Sequence, residues 1–305
     1  MDDTSRINLE KLLHHLDGAY APNTLRAYKA DMLEFIAYCE KNGVCALPAK
    51  PETVAEFLKQ TVHQGIKSST IRRKVSSISA THRLSSLEDP TKHSEVRISQ
   101  RKIYRQLGTR FDQAYPITSA LLNRLLAVCE DDLHGLRDRA LLMVAYDSMR
   151  RRSELISLRV EDIEWIPNTG ASILLRKSKT DQQGYGKWIH LTSETTQALH
   201  EWIAAAEINE GFIFRGVRSS EAITDSLCES RIPRIYKALA RKAGIDESVV
   251  QSISGHSMRV GGAQDLLNSG ASLPQIMVKG GWAKIDTVLR YIERTRSSST
   301  LNLHG

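Results

Sequence analysis

Apolar residues recur at helical spacing down almost the whole of this chain, and that periodicity limits what it can fold into. Over 24–42, Leu25, Tyr28, Met32, Phe35, Ile36 and Cys39 fall on one 3.6-residue stripe, which predicts an amphipathic helix with Asn23 as N-cap and Asn42-Gly43 as its stop. Pro51 opens a second helix over 51–64, with Val54, Phe57, Leu58 and Val62 inward. A third covers 69–84, where Ile71, Val75 and Ile78 share a face. A fourth, rich in Arg and Lys, covers about 94–108, and a short one covers 8–17. In the connector Gln113–Ile117, Pro116 disfavours helix at Tyr115, and Thr118 or Ser119 caps the next helix. Helices are then expected at 119–130, 135–147, 150–160, 192–206, 229–242, 257–268, 273–279 and 286–294. Only 171–176 and 186–192 read as strands, a β-hairpin with a long Gly/Gln/Lys tip. The expected fold class is mainly α (α+β), with a helical unit over 1–115 and a mostly α unit with a small antiparallel sheet over 116–305.

A chain of 305 residues is long enough for two such units, each with its own core. The formal net charge is +7, compatible with a polyanionic partner. The excess is concentrated: residues 67–110 hold 11 Lys or Arg against 3 Asp or Glu. Cys39, Cys45, Cys129 and Cys228 show no CxxC spacing and fit reduced thiols in a cytosol better than a disulfide frame or a zinc site. No apolar run is long enough for a membrane span, and the polar start MDDTSRINLE is unlike a signal peptide. A cytoplasmic location is therefore expected.

The second half carries a set of cations and proton donors in fixed order: Arg151, Lys179, His256 with Arg259, Trp282 and Tyr291. Arg151 and Glu154 are three apart, so one helix face brings the carboxylate to the guanidinium. Alone, the run Arg150-Arg151-Arg152 is more simply a solvated charge cluster. Lys179, in the hairpin tip, is an exposed loop lysine unless a phosphate lies near, when its ammonium can protonate a leaving oxygen. His256 and Arg259 flank a predicted helix start, where free N–H groups favour anions. The alternative is a histidine that merely caps a buried helix. Gly261 and Gly262, just inside that helix, cost it about 1 kcal/mol each relative to alanine, which close backbone approach would explain. Trp282 alone is more often core packing; functionally, its indole N–H would meet a phosphate oxygen. Tyr291 lies beside the inner face marked by Val288 and Ile292, and Asp286 can cap its helix. On pattern alone it is structural; as a nucleophile it needs surrounding cations, because a free phenol titrates near a pH of about 10. On the first unit, Lys67, Ser69, Arg72, Arg73 and Lys74 form a basic helix start that reads either as a solvated face or as a nucleic-acid contact. Arg241 is a further DNA-contact candidate in the second unit. Together the second-half residues supply what a metal-free phosphoryl transfer to a tyrosine requires.

The strings YDSMRRRSELISLRVEDI (146–163), RKSKT (176–180), SGHSMRVGGA (254–263) and GGWAKIDTVLRYIERT (280–295) resemble the tyrosine recombinase family. The likeness is specific from about 118 to 295 and visible in FIAYCEKNGV and IKSSTIRRKVSSISATHRLS, so it covers nearly the whole chain. It implies the tyrosine recombinase fold, with a core-binding helical domain and a catalytic domain expected to clamp duplex DNA. It also implies roles. Arg151 and Arg259 would hold the scissile phosphate, Lys179 would be the general acid, and His256 would serve acid/base transfer. Glu154 would support the site, Trp282 would stand where many relatives carry a second histidine, and Tyr291 would form a 3′-phosphotyrosine. No metal or other cofactor is implied. The implied partners are a double-stranded DNA site with inverted repeats and three further copies of the chain, which form a homotetramer on two sites. A bacterial or phage mobile genetic element would be the setting. The same residues also fit a type IB topoisomerase, and the fold alone would fit a non-catalytic DNA-binding protein.

Overall fold

The computed structural model describes residues 3–108, 113–167, 169–178, 181, 184–219 and 222–293. The chain divides into two compact units, Met1–Asp112 and Gln113–Gly305. Residues 113–115, expected from sequence in the first unit, belong with the second. The Tyr115 N–H donates to the Ser252 carbonyl at 2.9 Å and the Ile117 N–H to the Ser257 carbonyl at 3.0 Å. Among the described residues no helix is long and apolar enough to cross a membrane.

The first unit contains α1 (Asp3–His15), α2 (Pro22–Lys41), α3 (Pro51–His63), α4 (Ser68–Leu84) and α5 (Ser94–Leu107). The stripes predicted from sequence form its core, where Met32, Phe35 and Ile36 meet Val54, Leu58, Ile71, Ile78, Val96 and Ile103. Phe35 and Phe57 pack edge to face with centroids 5.0 Å apart, a geometry that adds to the gain from area alone. The cap of α2 is Ala21 rather than Asn23, because Pro22 takes the first helical position, where its missing N–H costs nothing. Asn42 and Gly43 do stop α2, with Gly43 at φ 67°.

The second unit runs α6 (Ser119–Leu126), α7 (Leu133–Ser148), α8 (Arg152–Leu155), β1 (Ile163–Ile166), β2 (Gly170–Leu175), β3 (Lys187–Leu191), α9 (Ser193–Ala205), α10 (Arg231–Lys242), α11 (Glu247–Ser252), α12 (Ser257–Asn268), α13 (Leu273–Gly280) and α14 (Ile285–Ile292). The sheet is antiparallel in the order β1-β2-β3, with Ile173 opposite both Ile163 and Ile189. Its main core joins Leu141, Leu142 and Val144 of α7 to Ile173, Ile189, Leu199, Trp202 and Tyr236. The buried Trp202 indole donates to the Ile213 carbonyl at 2.9 Å.

The helix expected over 150–160 is only four residues long. Beyond it the chain pairs with 211–213: the Val160 N–H bonds to the Gly211 carbonyl and the Ile213 N–H to the Leu158 carbonyl, both at 2.9 Å. That ladder competes with helix hydrogen bonds and wins. Strand β1 and helix α11 were not predicted. β1 is an edge strand with an intermediate-then-exposed pattern and no alternation to read, and α11 is six residues long.

A separate small core lies under the C-terminal helices. Met149, Ala263, Ile276, Trp282 and Val288 are its buried members, with Tyr291 and Ile292 packed against it. Two of the site residues expected from sequence, Trp282 and Tyr291, belong to this cluster.

Candidate active site

Helix α7 ends at Met149 in the left-handed region, φ 48° and ψ 35°, a conformation that costs a residue with a Cβ about 1–2 kcal/mol. The turn sends the next three arginines to three different fates. Arg150 is 5% exposed. Its Nε donates to the Ser148 carbonyl at 3.0 Å and its guanidinium also binds the Lys279 carbonyl. It therefore ties the end of α7 to the end of α13. Burial lowers its pKa against the pull of Glu154, and the like charge of Arg151 lowers it further. Arg152 is exposed and pairs with Glu229 at 2.6 Å. Arg151 lies between them as the N-cap of α8, and the expected pairing with Glu154 is present. The Arg151 backbone N–H donates to Glu154 Oε2 at 3.0 Å and its Nη1 to Oε1 at 2.7 Å. Of the three, Arg151 is the one paired with a buried carboxylate, while its side chain keeps 22% exposure.

Glu154 is buried, which pushes its carboxyl pKa up. The Arg151 hydrogen bonds and the charges of Arg151 and Arg259 outweigh that and hold it below the usual range. A carboxylate depressed by folding stabilises above its unfolded pKa and loses that contribution as pH falls through the folded value. Glu154→Gln should therefore lower the stability of the protein at pH 7 by about 1–3 kcal/mol. The gap to wild type should close below a pH of about 4, as read from melting curves across pH.

Helix α12 brings the second arginine. Arg259 is 1% exposed. Its Nη1 donates to the carbonyl of the strained Met149, and its guanidinium carbon lies 4.6 Å from the centre of the Trp282 ring. Burial, and then the charge of Arg151, lower its pKa to about 10, against the opposing pull of Tyr291 and Glu154. Trp282 is 6% exposed, and its ring meets that of Tyr291 edge to face at 5.5 Å. The Arg259 Nε and the Trp282 Nε1 are both buried without a hydrogen-bond partner among the described residues. Burying a donor unpaired costs free energy, so each is a donor that the described residues leave open. Arg151, Arg259 and Arg150 share one carboxylate, Glu154, so the site carries excess positive charge.

His256 is exposed at the N-cap position of α12, with its N–H bonded to Ser254 Oγ at 3.1 Å. Lys179 lies outside the described residues. The hairpin beside it is organised by Asp181, whose carboxylate accepts the N–H groups of Gly184, Tyr185 and Gly186 at 2.8–3.2 Å. The glycine pair in α12 has a packing cause. A Cβ on Gly261 would overlap the Ile117 carbonyl, and one on Gly262 would crowd the Met149 side chain. The close approach is thus the chain's own backbone and side chain. Gly280 lies under the Trp282 ring, and Gly281 takes φ 65° beside the Arg150 guanidinium. Arg150 and Lys279 were not recognisable as partners from sequence, because the contact that joins them spans 129 positions.

On the first unit the expected basic face needs one correction. Lys74 is 2% exposed, ion-paired with Glu34, and its ammonium lies 5.8 Å from the Phe57 ring centre. At three residues from Ile71 it falls on the inner face. Lys67 and Arg72 are exposed, and Arg72 lies over the Tyr104 ring at 5.3 Å. Ser69 is half-buried. Arg73 is exposed but bound to the buried Asp31 at 2.6 Å. Arg241, on the second unit, is exposed and paired through two nitrogens with Glu247.

Comparison with known proteins shows the family of the chain. Residues 116–297 match the phage integrase family, and residues 9–89 match the phage integrase N-terminal SAM-like domain. The chain belongs to the phage integrase family, the tyrosine recombinases, enzymes that cleave and rejoin DNA. It is 31% identical to an integrase/recombinase xerD homolog of Selenomonas ruminantium, over 96% of this chain and 88% of that one. It is 26% identical to recombinase cre of Escherichia phage P1, over 92% of this chain and 87% of that one. Among solved structures, a lambda integrase dimer bound to a COC′ core site matches with a TM-score of 0.64 at 14% identity, covering 98% of this chain and 99% of that one. XerH recombinase bound to its palindromic difH substrate matches with a TM-score of 0.66 at 17% identity, over 89% of this chain and 76% of that one. The fold is that of the tyrosine recombinases.

Proposed function

We propose that the protein is a site-specific recombinase that cuts each DNA strand with Tyr291 and holds the end as a 3′-phosphotyrosine. The observation that carries this reading is one contact chain: Arg259 over Trp282 at 4.6 Å, and Trp282 against Tyr291 at 5.5 Å. It links the Tyr291 ring, through Trp282, to a buried guanidinium whose Nε has no partner among the described residues.

The Tyr291 oxygen attacks the scissile phosphorus, so a P–O bond forms to the phenol and the P–O5′ bond breaks. The phenol proton passes to His256 or to water it orients, and the 5′-oxygen takes a proton from Lys179. Arg151 and Arg259 meet the charge that builds on the non-bridging oxygens, with the Trp282 N–H as a further donor. Fixed donors aimed at developing charge are the largest common source of catalysis, and forked guanidiniums suit two phosphate oxygens at once. The phosphotyrosine keeps the energy of the broken phosphodiester. A 5′-hydroxyl from a second duplex then reverses the step with no ATP, which gives a Holliday junction. Four copies on two inverted-repeat sites supply the four cuts. Lys67 at the N-cap of α4, Ser69 and Arg72 on that helix, and Arg241 of the second unit are assigned to the DNA backbone, whereas Arg73 is assigned to the buried Asp31. No cofactor takes part.

The test uses a pool of duplexes with random sequence around a central nick, incubated with the full chain in EDTA. A protein–DNA adduct that survives SDS is expected, and the captured duplexes should converge on one sequence. No adduct with or without magnesium would leave a DNA-binding protein without strand chemistry. An adduct only with magnesium would contradict the metal-free step.

The basic face makes a separate expectation. Lys67→Ala should reduce the slope of log affinity against log salt by about one unit, as for one lost phosphate contact. Arg73→Ala should instead lower the melting temperature, because it leaves the buried Asp31 without its cation. Salt titrations on the captured duplex and melting curves separate the two effects.

A further inference from the structure

Tyr291 is held by its backbone as well as by its ring. Its carbonyl lies in the last turn of α14, where among the described residues the helix itself supplies no partner. Two side-chain amides converge on it instead. Gln113 Nε2 donates at 2.9 Å and Gln264 Nε2 at 3.0 Å. Both donors are referenced to α12. Gln264 is 7% exposed and sits on that helix with Arg259. Gln113 begins a segment fastened to the start of α12 through the Ile117 N–H and the Ser257 carbonyl, and the Ile117 carbonyl packs onto Gly261.

Apolar packing alone holds α14 weakly. It has eight residues, of which only Val288 is buried, while Ile285 and Leu289 are 47% and 44% exposed. We infer that Gln113 and Gln264 are positioning residues: by gripping the Tyr291 carbonyl they fix the tyrosine helix against the helix that carries Arg259, and so set the line of attack on the phosphate. The inference rests on Tyr291 as the nucleophile. Neither glutamine touches DNA or the reacting atoms in this scheme.

The experiment compares full-length wild type with Gln113→Met, Gln264→Met and the double variant on the captured nicked duplexes, with adduct formation followed at saturating protein. Methionine keeps the volume and removes the donor. Each single variant is expected to form adduct about tenfold more slowly and the double about a hundredfold, the scale of an ångström of misplacement. Duplex affinity and melting temperature should stay at wild-type values. A second substrate carries sulfur in place of the scissile 5′-oxygen, so that the leaving group departs without a proton. The variants should remain slow on it, because attack and not protonation is impaired. Gln264→Glu, which keeps the shape but faces the carbonyl with an acceptor, should be as slow as Gln264→Met. Wild-type rates in the double variant, recovery on the sulfur substrate, or a defect that vanishes once reduced affinity is allowed for would overturn the inference. Failure of wild type itself to form adduct would count against the nucleophile assignment instead, before any variant is compared.

Discussion

Tyr291→Phe is expected to abolish the covalent adduct while leaving DNA affinity and melting temperature unchanged. The hydroxyl is the only group removed. The contacts that hold the residue are the ring against Trp282 and the backbone carbonyl gripped by two glutamines, and phenylalanine keeps both. Loss of adduct with retained binding therefore isolates the chemical role from the structural one. The measurement is adduct yield on SDS gels beside a binding titration on the same duplex. Adduct at the wild-type level from this variant would remove Tyr291 from the mechanism.

Arg259→Lys is expected to slow adduct formation by about 10²–10³-fold, the effect of losing one fixed donor at a developing charge. Charge is conserved in this change, but shape is not. A lysine ammonium cannot donate to the Met149 carbonyl, stack on Trp282 and present a fork to phosphate all at once, as the planar guanidinium can. The residue is 1% exposed, so the shorter head group also leaves unfilled space. Single-turnover rates at saturating duplex read the catalytic part, and melting curves read the packing part. A rate within a fewfold of wild type would show that a simple positive charge suffices there.

Most of the architecture could be read from the chain, and so could the candidates for the reactive set. The helices of the first unit follow from apolar stripes whose members, Met32, Phe35 and Ile36 among them, are all in its core. The pairing of Arg151 with Glu154 follows from three-residue spacing on one short helix. Arg150 was not legible because it looks like its neighbours, and its burial depends on the Lys279 carbonyl far along the chain. Lys74 was misplaced because charge argues for solvent while position argues for the interior. Glu34 and the Phe57 ring resolve that conflict in favour of the interior. Gln113 and Gln264 left no sequence signal, since a glutamine that binds a distant carbonyl looks like any other. The residues proposed for the reaction stand out by type and order, and those proposed to position them do not.

The most direct test of the central claim is to digest the wild-type adduct with nuclease and trypsin and identify the modified residue by mass spectrometry. The account predicts a nucleotide remnant on the peptide that begins at Tyr291, joined through its phenol oxygen. A remnant on any other side chain would contradict it.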